Sequence, residues 1–107
     1  MLVRLRETGT AEELWFRTFF HWLFVPGFFD DPRAVEMAVE MSMKYPHRQS
    51  VESMRRQVDA LADHQSSNLT NLNMPVFAIA AELDLMFSPA AIAESLNEVP
   101  NLKITEI

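Results

Sequence analysis

The spacing of apolar positions changes along this chain, and the change divides it into two parts. Trp15, Phe16, Phe19, Phe20, Trp22, Leu23 and Phe24 crowd one stretch at helical intervals but spread over more than one face. Ala34, Met37, Ala38, Met41 and Tyr45 then recur every three or four positions, and Val51, Met54, Val58 and Leu61 repeat the pattern as a narrow single stripe. Val76 to Ala81 breaks that rhythm with a continuous apolar run, led by Pro75 and followed by Glu82 and Asp84. An uninterrupted run of this length predicts a strand of a parallel sheet, buried on both faces by helices, with the proline placed where no ladder N–H is needed.

The punctuation supports the same division. Thr10 with Glu13 reads as a capping box, predicting a helix from there to just before Pro26-Gly27. Asp31-Pro32 reads as an N-cap followed by a first-turn proline, for a helix to about Tyr45, where Pro46 stops it. Along it, Glu40 and Lys44 form an i,i+4 pair. Ser50 caps a third helix to about His64, and Ser66 to Asn71 reads as a turn or short helix. Ser88-Pro89 opens a helix to Val99, and Pro100-Asn101 turns into a last strand, Leu102 to Ile107. Residues 1 to 9 frame either a short helix or an untethered arm. The predicted fold is thus helix-rich α/β, with a helical region over 1–68 and a parallel β-α-β segment over 69–107. Two strands alone leave backbone groups unpaired on both edges, which predicts a homo-oligomer formed through those edges.

Composition narrows the function. The 107 residues carry a formal net charge of −6 with only nine Lys and Arg, a balance that disfavours nucleic acid and anionic lipid as partners. The most apolar N-terminal run, Leu14 to Val25, is interrupted by Arg17 and His21 and is shorter than the roughly 20 residues of a membrane span. There is no cysteine for a disulfide, a thiol nucleophile or a thiolate metal site. His21, His47 and His64 are not at metal-ligand spacings, so neither metal nor cofactor is expected. A cytoplasmic protein is the default expectation.

Asp84 is the residue that carries candidate chemistry, because the carboxyl end of a parallel strand is where ligands and catalytic groups collect in open α/β sheets. The plainer role for an aspartate there is to end the strand by capping a turn. Glu82 reads as a solvated loop acid. The order of Leu69 and Leu72, Pro75, the apolar strand, Asp84, Pro89 and finally Leu102, Ile104 and Ile107 resembles the late segment of α/β-hydrolases of the esterase, enol-lactonase and carbon–carbon-bond hydrolase kind. A looser match runs through Asp59 to His64, and the helical region before it resembles that family's cap. Where the family has a glycine three residues before the acid, this chain has Ala81.

The resemblance implies that the chain is an α/β fragment, with 1–68 its cap-like region and 69–107 its late core, and that Asp84 corresponds to the acid of a serine–histidine–acid triad. It also implies that Trp15, Phe19, Trp22, Met37 and Met41 face substrate in a cap, where residues of these types are otherwise core. The family activity is cofactor-free hydrolysis of a small ester, lactone or β-diketone-type substrate through a serine acyl-enzyme. The nucleophile elbow G-x-S-x-G is not present: Gly9 and Gly27 are the only glycines, neither lies near a serine, and no histidine follows Asp84. The expectation is a partial hydrolase that retains the cap and the acid strand, inactive as an isolated chain, with a complementing hydrolase fragment as a further partner. The alternative is a non-catalytic helical module for protein interaction or self-association.

Overall fold

The computed structural model describes all residues from Met1 to Ile107, and they form two units, Met1–Gln65 and Ser66–Ile107. The first is helical: α1 (Leu2–Glu7), α2 (Glu12–Leu23), α3 (Pro32–Lys44) and α4 (Val51–Asp63), with a 3-10 turn at Pro26–Asp30. The second contains a 3-10 turn at Leu69–Asn71, β1 (Val76–Ala80), α5 (Pro89–Ser95) and β2 (Leu102–Glu106). A helix-rich chain ending in a small parallel β-α-β element is therefore the observed fold. No helix is long and apolar enough to cross a membrane.

Within the first nine residues Leu2–Glu7 form a tethered helix, which resolves the choice left open by the sequence. A six-residue helix has too few intrahelical bonds to stand alone. What holds α1 is packing against α2 and α4, with Val3 buried. The Trp15 indole N–H donates to the Leu2 carbonyl at 2.9 Å, and Arg55 donates to the Glu7 carboxylate through Nε and Nη2 at 2.6 and 2.5 Å.

The capping box at Thr10 and Glu13 does not form. Helix α2 begins one residue later with Ala11 as an N-cap that offers no side-chain bond. The reason lies in how α1 ends. Gly9, at φ 81°, lets the chain close a Schellman turn in which the Gly9 N–H donates to Arg6 O at 3.2 Å and the Thr10 N–H to Leu5 O at 3.1 Å. The amide that Glu13 would have satisfied is thus already occupied, and the Glu13 carboxylate instead accepts from Arg17 at 2.9 Å. Arg17 also reaches Glu36 at 2.8 Å, joining α2 to α3.

The caps read at Asp31, Ser50 and Ser88 all form: each side chain accepts an N–H from the first turn of its helix, at 2.9, 3.0 and 3.2 Å. The predicted stripe on α3 is covered only in part, with Ala34 and Ala38 half-buried. Met37, Met41 and Tyr45 are 61%, 67% and 56% exposed, whereas Val39 is buried and Val35 half-buried. Both stripes have helical spacing, and α3 turns the compact β-branched one towards α2. On α4, Val51, Met54 and Val58 are half-buried as expected, but Leu61 is exposed.

In the second unit β1 and β2 are parallel, with Val76 opposite Leu102 and Ala80 opposite Glu106. The ladder continues past the strand ends through Ile107 N–H to Ala80 O at 2.9 Å and Glu82 N–H to Ile107 O at 2.8 Å. Burial of β1 on both faces is not observed. Val76, Ala78 and Ala80 point inward while Phe77 and Ile79 remain 58% and 57% exposed, because a single crossover helix lies on only one face of a two-stranded sheet. Helix α5 is shorter than read from the sequence; it stops at Ser95, and Leu96 to Glu98 continue as turns, followed by the buried Val99.

The Glu7–Arg55 pair yields a pH prediction. The hydrogen bond from Arg55 holds the Glu7 carboxyl below the usual glutamate range. A depressed folded value means the contribution is present above the unfolded value near 4.3 and is lost as pH falls through the folded one. The variant Arg55→Gln is expected to lower the urea midpoint at pH 7 and to match the parent once Glu7 is protonated in both. Circular dichroism at pH 7 and at progressively lower pH checks this; an offset that persists at low pH would refute the assignment.

Candidate functional site

Asp84 lies in the loop after β1, half-buried. Its Oδ1 accepts from the backbone N–H groups of Met86 at 2.8 Å and Phe87 at 2.9 Å, while its own N–H donates to Ala81 O at 3.2 Å. The carboxylate is thereby oriented by two amides through one oxygen, and Oδ2 has no hydrogen-bond partner in the chain. The turn has negative φ at every residue, so Ala81 sits in it without strain. Glu82 is exposed, as read from the sequence. None of the three histidines belongs to this unit: His21, His47 and His64 are all in Met1–Gln65.

The five aromatic and methionine candidates fall into two groups. Trp15 and Met41 line a cavity of about 370 Å³ in the helical unit; Phe19, Trp22 and Met37 do not. Trp15 is buried and Phe19 half-buried, stacked on each other with ring centroids 4.9 Å apart. Trp22 and Met37 are exposed, 40% and 61%, and form no part of that wall. His21 stacks on Phe29 at 4.3 Å, a packing role at the edge of the aromatic helix. His64 caps α4, its N–H donating to Leu61 O at 3.4 Å.

The remaining cavity wall combines Phe16 and Tyr45, which belong to the apolar patterns, with polar residues that periodicity does not single out. Arg6 on α1 places its guanidinium carbon 4.8 Å from the Trp15 ring centroid and donates through Nη2 to Gln49 O at 2.9 Å. Phe16, Ser42, Tyr45, His47, Arg48 and Gln49 complete the lining of what is an open-sided cavity. Arg48 Nε is 2.8 Å from Glu12 Oε1, but its N–H does not point along that line, so the buried oxygen gains charge attraction without a directed hydrogen bond. The cavity's two arginines, Arg6 and Arg48, flank the aromatic helix on either side, forty-odd positions apart, and nothing in the pattern relates them to each other or to the apolar wall. No group of three or more His, Asp or Glu side chains is arranged to hold a metal ion.

No family model, no curated protein and no solved structure matches the chain.

The two amides held by Asp84 provide a direct check of its local role. Asp84→Ala removes an acceptor for two N–H groups and is expected to cost about 1 kcal/mol, the scale of losing a helix cap. Amide exchange at Met86 and Phe87 should accelerate in that variant and stay near the parent rate in Asp84→Asn, whose Oδ1 still accepts. Equal protection of both amides in Asp84→Ala would rule the role out.

Proposed function

We propose that this chain is the cap and acid-bearing part of a serine-dependent α/β-hydrolase acting on a small ester, lactone or β-diketone-type substrate. In this reading the serine and the histidine come from outside these 107 residues, and the isolated chain is inactive. The observation that carries the proposal is the state of Asp84. It follows the first strand of a parallel β-α-β unit, one carboxylate oxygen is fixed by two backbone amides, and the other is unengaged. Such a carboxylate suits the part played by a triad acid, which accepts the histidine N–H, sets the tautomer and stabilises the imidazolium formed as the serine loses its proton. The order of motifs around Asp84, from Leu69 to Ile107, adds to the reading. A cytoplasmic setting belongs to the same proposal.

The test is a chimaera in which this chain replaces the cap and acid-bearing segment of a complete serine esterase of that family. It is expected to release 4-nitrophenol from 4-nitrophenyl acetate, and Asp84→Asn to lower kcat by about 10⁴, the scale of the same change in a serine protease triad. A folded chimaera whose activity is unchanged by Asp84→Asn would overturn the assignment.

The second reading, a self-association module, is favoured by a different observation. In the β-α-β unit only Ala80 and Val99 are buried, while Phe77, Ile79, Leu83, Leu85 and Phe87 are each more than half exposed. The two strands pair only with each other, so each keeps an open edge. A second copy can satisfy those edges and cover the apolar face. Light scattering should then give a small multiple of 12.3 kDa, and Ile79→Lys should return the monomer. A parent chain that is already a monodisperse monomer would exclude this reading.

A further inference from the structure

We propose that the helical unit binds a small organic monoanion, a carboxylate on an aromatic or branched apolar body, in the cavity walled by Arg6, Trp15, Phe16, Met41 and Tyr45. The inference goes beyond the hydrolase reading and does not depend on it, since every residue involved lies in Met1–Gln65.

The walls determine the shape of the ligand. A cavity of about 370 Å³ lies at the lower end of the size range for small-molecule sites, and its floor is aromatic surface with the Met41 thioether at its rim, suited to a flat or branched apolar body. Trp15 is held rigidly, with its indole N–H donating to Leu2 O at 2.9 Å and its ring packed edge-on to Phe16 at 5.2 Å. A rigid wall loses little freedom when a ligand arrives.

The charges determine the headgroup. No acidic side chain lines this cavity. Of its two arginines, Arg48 is neutralised by Glu12 at 2.8 Å, whereas Arg6 takes part in none of the chain's ion pairs. Arg6 is half-buried, and its guanidinium is positioned by Trp15, by Gln49 O and by a long contact from Nη1 to the Met54 sulfur at 3.8 Å. Those contacts use two of the guanidinium's five donors, so N–H groups remain for a ligand. A planar fork with spare donors matches a carboxylate, and one uncompensated cation matches one negative charge rather than the two of a phosphate monoester. The net charge of −6 does not oppose this, because exposed charges more than about 8 Å away are largely screened at physiological salt.

Titration with 2-naphthoate, followed by the indole N–H resonances of the two tryptophans, tests the proposal. Saturable movement of the Trp15 signal is expected, with a dissociation constant below about 1 mM and the Trp22 signal unmoved. On the unmodified protein 2-naphthamide, equal in shape but uncharged, should bind at least about tenfold more weakly. Arg6→Gln should weaken naphthoate binding by a similar factor, Arg6→Lys by less, and Arg33→Gln, an exposed cation away from the cavity, not at all. Because Arg6 also tethers Gln49, a second variant avoids the question of folding: Met41→Glu puts a negative charge at an exposed position on the rim and should also weaken naphthoate binding at least about tenfold. Equal affinity for acid and amide, or unchanged naphthoate binding in Met41→Glu, would overturn the proposal. So would the absence of a saturable Trp15 shift.

Discussion

Burial of the Trp15 indole is the constraint on which the helical unit depends. A buried indole must place its N–H on an acceptor, and here the acceptor is the Leu2 carbonyl at the start of a helix too short to persist unaided. Satisfying the indole therefore orders α1. Once α1 is ordered, Arg6 lies over the same ring and reaches the Gln49 carbonyl, which draws in the loop that precedes α4. Glu7 meets Arg55 on α4 from the same short helix. One aromatic side chain thus links segments that are distant in sequence, and the cavity beside it follows from that linkage.

The β-α-β unit illustrates the opposite situation. The ladder between its two strands is regular, yet its apolar side chains are mostly uncovered. A parallel pair with one crossover has one sheltered face, so Phe77 and Ile79 carry the cost of the face left bare. Lys103, with its ammonium 5.8 Å from the Phe77 ring centroid, is the main polar relief there. Such a unit is locally well formed but has little apolar burial of its own to stabilise it.

Much of the local structure was legible because its causes are local. Asp31-Pro32, Ser50 and Ser88-Pro89 start helices where a side-chain oxygen sits two or three residues before an unsatisfied N–H, and neighbours alone decide that geometry. The Thr10–Glu13 box had the same local form and failed, because the Schellman turn at Gly9 competed for the Thr10 amide and involved the helix before it. The candidate site divides in the same way. Asp84 was readable from its place after an apolar strand; the Arg6 cavity was not, since its cation and its aromatic floor come from different helices and share no spacing.

The order of elements, the caps at Asp31, Ser50 and Ser88, the parallel strand Val76–Ala80 and the position of Asp84 after it were all determined by the sequence itself, since each rests on backbone and side-chain chemistry within a few residues. Which face of each element is covered was decided only in three dimensions. The α3 stripe of Met37, Met41 and Tyr45 and the α3 stripe centred on Val35 and Val39 have the same period, and only packing against α2 selects between them. The exposure of Phe77 and Ile79 likewise depends on how many helices flank the sheet, a number that no run of apolar residues encodes.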